Sequence, residues 1–369
     1  MGQPLPVKYV MEGSYGPEVV LSGRRYVNFG GCGYLGLHGH PDVLRAAAEA
    51  VQRYGLSCGL SRHYSVSSGP LLEAEARAAE FFATESALCL PTGYLVATVL
   101  AWGLADRVDA VFLDSTAHYS VCDAASLLGK PVFRFAHCDG ADLRRQLASH
   151  LRPGERPLVM SDGVFPTFGE IAPVHEYLAA VEPHDGQIVL DEAHSVGAVG
   201  PHGWGSFDHH GVSSPRIHFG GTLSKAFGAH GGVIPGERAW IDRLRTCPTV
   251  RGATAPAVPC AAAAAKSLEI AKQQPELRDR LWANVRMLRD GLRPLGIDTG
   301  HTESPIVTFD PGSAEETARM HQGLLDRGFF VYLSHYVGAS PGGVLRHAVF
   351  ANHTAEHIQR LLEAVGELL

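Results

Sequence analysis

In the segment Gly220-Gly221-Thr222-Leu223-Ser224-Lys225-Ala226-Phe227-Gly228, one lysine sits among small residues directly after a strand-like run. Surface lysines ordinarily occupy polar helix faces, so this setting suits a lysine that holds a carbonyl cofactor as a Schiff base. Thr222 and Ser224 are spaced to bring hydroxyls to the phosphate end of that cofactor. A second signal is Ile188-Val189-Leu190-Asp191, an apolar run that ends by presenting a carboxylate where ligands of open α/β sheets bind. An aspartate there can keep the ring nitrogen of pyridoxal phosphate protonated, which makes the ring an electron sink, and His194 can reach the ring hydroxyl. Asp191 alone also fits a cap at a strand end. The string Asp191-Glu192-Ala193-His194 occurs in helicase motors too, yet no G-x-x-x-x-G-K-[ST] accompanies it. In Leu90-Pro91-Thr92-Gly93-Tyr94-Leu95 a strand-like run turns into a helix, so backbone N–H groups can meet a phosphate. His118, in Asp114-Ser115-Thr116-Ala117-His118-Tyr119-Ser120, follows a strand and can offer its ring as a stacking surface; in a chain with 20 histidines it carries little weight alone.

The elements that must position these residues alternate. Strands are predicted at Ala110 to Asp114, Pro131 to Phe135, Leu158 to Ser161, Ile188 to Asp191, Ile217 to Gly220 and Gly232 to Ile234, with helical segments between several of them, the pattern of an α/β fold with a central, mostly parallel sheet. A first helix is predicted from Pro41 to Tyr54, with Leu44, Ala47, Val51 and Tyr54 on one face and Gly55 as its stop. From about Ser267 the texture changes. Charged helices at Leu277 to Leu292, Ala314 to Arg327 and Thr354 to Leu369 interleave with short strands at Pro305 to Phe309, Phe329 to Leu333 and Leu345 to Phe350, which reads as a smaller α+β unit. The expected organisation is an N-terminal segment over 1–40, a large cofactor-binding catalytic domain over 41–266 and a small C-terminal domain over 267–369.

Composition narrows the function classes. At 369 residues, 45% hydrophobic and 19% charged, the chain is large enough for about two units and can bury a core. Its net charge of −7 offers no excess of cations for a phosphate backbone, so nucleic acid is not an expected partner. Apolar stretches fall short of the ~20 residues of a membrane span and the N-terminus lacks a signal core, so no membrane association and a cytoplasmic location are expected. The seven cysteines are odd in number and hold no C-x-x-C pair, against a disulfide framework or a zinc site. His202, His209 and His210 lack a carboxylate or cysteine spaced to complete a metal site, so no metal is expected. Gly31-Cys32-Gly33-Tyr34-Leu35-Gly36 fits G-x-G-x-x-G, but the next helix begins only at Pro41, too late to meet a dinucleotide pyrophosphate.

Taken together, the TGY turn, D-x-x-x-H-x-S at 114–120, F-x-H-x-D at 135–139, DGVFPTFGEIAP at 162–173, DEAHSVGAVGPHGWG at 191–205 and GTLSKAFG at 221–228 resemble the α-oxoamine synthases, over nearly the whole chain and in order. These are pyridoxal-phosphate enzymes of aminotransferase-like fold (fold type I), so the resemblance implies that cofactor and a homodimer. It implies that Lys225 carries the Schiff base, Asp191 pairs with the ring nitrogen, His118 stacks on the ring and His194 bonds its phenolic oxygen. Thr92, Gly93, Tyr94, Thr222 and Ser224 would line the cofactor, and Thr254 of a neighbouring subunit would contact its phosphate. Leu345-Arg346 through His353-Thr354 resembles the family's L-R-x-x-x-x-x-x-H-T stretch, whose arginine, here Arg346, grips the amino-acid carboxylate.

The chain departs from the pattern on the substrate side. Cys32 stands where the family has an asparagine, Ser65 follows an otherwise expected Ser61-Arg62 region, Pro166 and Phe168 replace a serine and an aspartate, and Ala97 replaces another asparagine. Only about thirty residues precede the Tyr34-Leu35-Gly36-Leu37 element, so the segment that helps receive an acyl thioester is expected to be short. The activity implied is condensation of a small amino acid with an acyl thioester of CoA or a carrier protein, usually decarboxylative. Transamination, decarboxylation or aldol cleavage with the same cofactor remain open, as do a non-catalytic scaffold and, more distantly, a nicotinamide oxidoreductase.

Overall fold

The computed structural model describes residues 8–64, 66–300, 302–339 and 341–369; Ser65 and residues 1–7 of the N-terminal segment lie outside them. Three short strands come first, β1 (Met11–Glu12), β2 (Glu18–Leu21) and β3 (Arg24–Asn28). Seven more build the principal sheet: β4 (Ser86–Leu90), β5 (Ala110–Asp114), β6 (Val132–Phe135), β7 (Pro157–Asp162), β8 (Gln187–Asp191), β9 (Ile217–Thr222) and β10 (Gly232–Gly236). Their spatial order is β4-β10-β9-β8-β7-β5-β6. Neighbours from β9 to β6 pair in parallel, and β10 alone runs antiparallel to both its neighbours, so the sheet is mixed but mostly parallel, as the sequence predicts.

Every residue of β4, β5 and β7 is buried, which is why these strands read as unbroken apolar runs rather than alternating ones: helices cover the sheet on both faces. The run ends in a carboxylate three times, at Asp114, Asp162 and Asp191, each the last residue of its strand. Because β7 and β8 are parallel and in register, Asp162 lies opposite Asp191. Carboxylates are thereby gathered at the carboxyl edge of the sheet, where the connections to the covering helices leave room for a ligand.

The first helix has the expected bounds, Pro41–Tyr54, with His40 accepting from Asp42 N and Gly55 at φ +73° ending it. Its anticipated apolar face is not the buried one. Leu44, Val51 and Tyr54 are exposed, and the helix buries Val43 and Ala50 instead. It packs on the helix Val258–Gln273, which also packs on Gly69–Phe81; the alanines at 261–265 let these axes approach closely.

The C-terminal elements are β11 (Ile306–Phe309), β12 (Phe329–Phe330), β13 (Tyr332–Ser334) and β14 (Val344–Ala348), with helices Glu276–Leu292, Ala314–Asp326 and Ala355–Leu368. The single strand predicted over Phe329 to Leu333 is split at Val331, because its two halves serve different sheets. Phe329 and Phe330 pair with Val27 and Asn28 of β3, whereas β13 joins the antiparallel sheet β11-β14-β13.

Candidate active site

Nine of the residues singled out in the sequence line one cleft of about 200 Å³ at the carboxyl edge of the principal sheet. Thr92, Gly93 and Tyr94 come from the turn after β4, His118 from the turn after β5, Asp191 and His194 from the end of β8 and its turn, and Thr222, Ser224 and Lys225 from the end of β9 and the loop beyond. Ser120, Asp162 and Ala193 complete the lining.

Two glycines explain how these turns fit. A Cβ on Gly93 would stand 2.7 Å from Thr222 Cβ, so only glycine lets the two turns touch. Gly228 takes φ +61°, and a Cβ there would strike the backbone of Leu37 and His38; His38 Nε2 also meets Ser224 O at 3.1 Å. The loop that presents Lys225 is thus clamped against the segment after β3.

Lys225 Nζ makes no hydrogen bond or ion pair to the described residues. Burial pushes its pKa below the usual 10.5, opposed by the charges of Cys32, Asp191 and Asp162, so a larger share of the amine is neutral. Asp191 is held by Ala193 N at 3.0 Å and by the Ser120 hydroxyl at 3.2 Å. Asp162 accepts from His118 N at 2.7 Å, and burial together with the Asp191 charge raises its pKa well above the carboxylate range. Burial lowers the His118 pKa, and burial with Lys225, Arg346 and His118 lowers that of His194 well below 6.5, so both rings are neutral at pH 7. His194 Nδ1 lies 2.8 Å from the Tyr34 hydroxyl; when that hydroxyl donates, the ring proton is on Nε2.

This donor set fits pyridoxal phosphate. The cleft has room for one substituted ring, a half-buried amine unpaired among the described residues for the aldehyde, a carboxylate for the ring nitrogen, a neutral imidazole for the phenolic oxygen, and the Thr222 and Ser224 hydroxyls with the 92–94 turn for the phosphate.

One expected residue, Arg346, is not brought into the cleft. Thr254, expected at the cofactor of a neighbouring subunit, is exposed here and bridges Ser61. Arg346 is buried behind Tyr34, its Nε donating to Pro166 O at 2.6 Å and its Nη1 to Gly31 O at 2.9 Å, with Nη2 3.4 Å from the Tyr34 hydroxyl and 3.7 Å from Cys32 Sγ. Two of the departures noted in the sequence, Cys32 and Pro166, therefore converge on this one guanidinium.

Sequence reasoning passed over Ser120, Asp162, Tyr34 and Tyr336. The first three stand inside motifs that had been noticed; Tyr336 reaches His118 Nε2 at 2.8 Å from the β13–β14 connection. His202 does have a carboxylate partner, Asp208, at 2.8 Å. Asp114, His137 and Cys138 also bring ligating atoms within 4.8 Å of one another. The Asp114 oxygens already accept from Thr116 N, His137 Nδ1, Cys138 N and Tyr177, however, which makes this cluster a brace for the end of β5.

Residues 24–365 match the family described as aminotransferase class I and II. An 8-amino-7-oxononanoate synthase of Anaeromyxobacter dehalogenans is 34% identical over 357 residues, covering 96% of this chain and 89% of the relative. The chain belongs to the α-oxoamine synthase family. Its fold is accordingly the α/β fold type I of pyridoxal-phosphate enzymes. Among solved α-oxoamine synthases, the serine palmitoyltransferase of Sphingomonas wittichii superposes with a TM-score of 0.91 at 29% identity, over 99% of this chain and 92% of that one. Another serine palmitoyltransferase, solved with its pyridoxal phosphate, gives a TM-score of 0.91 at 30% identity over 98% of this chain and 92% of that one.

Proposed function

We propose that the protein is a pyridoxal-phosphate-dependent acyltransferase that condenses a small amino acid with an acyl thioester to give an α-oxoamine. The observation that carries this reading is Lys225: a half-buried amine with no hydrogen-bond or ion-pair partner among the described residues, beside Asp191 and Asp162, in a cleft whose turns present hydroxyls and backbone N–H groups. Bound there, the cofactor supplies an electron sink for negative charge at the amino-acid Cα. Lys225 would hold the aldehyde, and its neutral amine would be the base for the Cα proton. Asp191 would accept from the ring nitrogen, His118 would stack on the ring, and His194 would donate to the phenolic oxygen. Arg346, buried behind Tyr34 with Nε and Nη1 engaged by Pro166 and Gly31, would reach the substrate carboxylate only through Nη2, by exchanging its contacts to Tyr34 and Cys32.

A homodimer belongs to the same reading. Leu44, Tyr54, Leu56, Tyr64, Val66 and Leu72 are exposed around the first two long helices, an apolar surface suited to a second copy that brings its Thr254 to the phosphate. Borohydride should fix a pyridoxyl adduct on Lys225, and acyl-CoA with glycine, alanine or serine should release free thiol. Absence of the adduct sinks the cofactor reading. An adduct without thiol release, with the amino acid still changing the absorbance, selects the second reading, other pyridoxal-phosphate chemistry on an amino acid, which the Cys32 and Pro166 contacts on Arg346 favour.

A further inference from the structure

A continuous hydrogen-bonded chain runs from the buried Asp191 to the mouth of the cleft. The Ser120 hydroxyl is 3.2 Å from Asp191 Oδ2, His118 Nδ1 is 2.6 Å from Ser120 Oγ, and the Tyr336 hydroxyl is 2.8 Å from His118 Nε2. Tyr336 is 38% exposed, so the far end of the chain meets solvent. We propose that Asp191, Ser120, His118 and Tyr336 form a proton relay, and that Tyr336 is its positioning residue, holding the His118 ring and exchanging its proton with water.

The polarity of the chain follows from what each atom can do. An ionised Asp191 only accepts, so the Ser120 hydroxyl must donate to it. In the Nδ1–H tautomer of His118, Ser120 Oγ accepts from Nδ1 and Nε2 is bare to accept from Tyr336. When a proton arrives from water, the Tyr336 proton moves to Nε2, the Nδ1 proton to Ser120 Oγ and the Ser120 proton to Asp191 Oδ2, while water re-protonates Tyr336. One proton has crossed from solvent to Asp191, and every group is restored except that His118 now carries its proton on Nε2. The bare Nδ1 of that state also has its donor in place, Ser120 N at 3.1 Å. Both tautomers are therefore provided for by the same fixed atoms.

The surroundings keep the relay neutral. Burial lowers the His118 pKa, with Asp191 and Asp123 opposing and Lys225 assisting. Burial, Tyr119 and Asp162 push the Tyr336 pKa up to about 12, so its hydroxyl stays protonated. Tyr94 and Tyr119 pack edge-on and tilted against the same imidazole without reaching its nitrogens. Val337 O accepts from Thr167, which ties the Tyr336 segment to the loop after β7. The purpose of the relay rests on the proposed pairing of Asp191 with a cofactor nitrogen; its existence does not.

The test is the His118 tautomer, read from ring ¹⁵N shifts of the full-length protein carrying pyridoxal phosphate and again without it, with a His118→Asn variant for assignment. Wild type should hold Nδ1–H near neutral pH. Asp191→Ala, which touches no atom of His118, should convert the ring to Nε2–H, because the freed Ser120 hydroxyl then donates to Nδ1. Tyr336→Phe should mix the tautomers and lower kcat on the order of 100-fold, with KM changed less than about twofold, as loss of a positioned proton-transfer group would. The same tautomer in wild type and Asp191→Ala, or an unchanged ring in Tyr336→Phe, overturns the relay. If the tautomers respond but no thiol is released from any acyl-CoA, the acyltransferase reading has failed and the relay stands.

Discussion

Glu192, one residue past Asp191, tests how the end of β8 is held. Its carboxylate is fully buried and accepts from Ser206 N at 3.0 Å on each oxygen and from the hydroxyls of Ser195 and Ser206. Gly163 and Gly205 pack against it so closely that a Cβ on either would collide with the carboxylate. Burial pushes its pKa from 4.5 up to about 7 against the pull of those donors, with the Asp191 charge adding to the rise. The folded state therefore holds this proton more tightly than the unfolded chain does. The stability this contributes is fully present below about pH 4.5 and is lost as pH rises through about 7, a loss of about 3 kcal/mol. Glu192→Gln keeps the shape and abolishes the titration; whatever its rearranged hydrogen bonds cost is the same at every pH and cancels from the comparison. Urea unfolding of both proteins at about pH 4.5 and about pH 8 should show the variant gaining roughly 3 kcal/mol on wild type between the two conditions. A stability difference that does not move with pH refutes the reasoning, and with it the view that burial outweighs four hydrogen bonds at this site.

Three further outcomes are expected. Gly93→Ala drives a methyl to 2.7 Å from Thr222 and costs about 1–3 kcal/mol of overpacking at the phosphate cradle; spectrophotometric titration should show pyridoxal phosphate binding about 10- to 100-fold more weakly, and equal affinity would place the phosphate elsewhere. Lys225→Ala should leave thermal stability unchanged or raised near neutral pH, since it deletes an amine that burial disfavours and that has no partner among the described residues, and a midpoint lower by several degrees counts against that description. Asp191→Asn should still bind the cofactor but turn over at least about 100-fold more slowly, and retained turnover would remove the electron-sink role.

The parts of this architecture that were legible in the sequence are those whose physics is local. Ala110 to Asp114 and Ile188 to Asp191 read as strands because both faces are covered, and the first helix was bounded to the residue by Pro41 and Gly55. The same helix shows where local reading stops. Periodicity says that Leu44, Val51 and Tyr54 share a face but not whether anything covers it, and among the described residues all three remain exposed. Tyr336 was invisible for a related reason: it lies 218 residues from His118, and the broken strand that delivers it changes sheets at Val331.

Asp162 is the most instructive omission, because strand register and not residue type gives it a role. Parallel pairing of β7 with β8 sets its carboxyl opposite Asp191, and the cleft then holds two carboxyls and one amine. One cation cannot neutralise two adjacent carboxylates in a site withdrawn from water, so one carboxyl must keep its proton. Asp191 has the Ser120 hydroxyl and Ala193 N to stabilise its charge, and a route to solvent through His118; Asp162 has the single donor His118 N and the deeper burial. The proton is thereby assigned to Asp162, whose pKa burial and the neighbouring Asp191 charge raise, leaving Asp191 as the ionised partner the proposed chemistry needs. An aspartate at the end of β7 thus sharpens the charge on the aspartate at the end of β8, a coupling written in the register of the sheet and in no contiguous stretch of the chain.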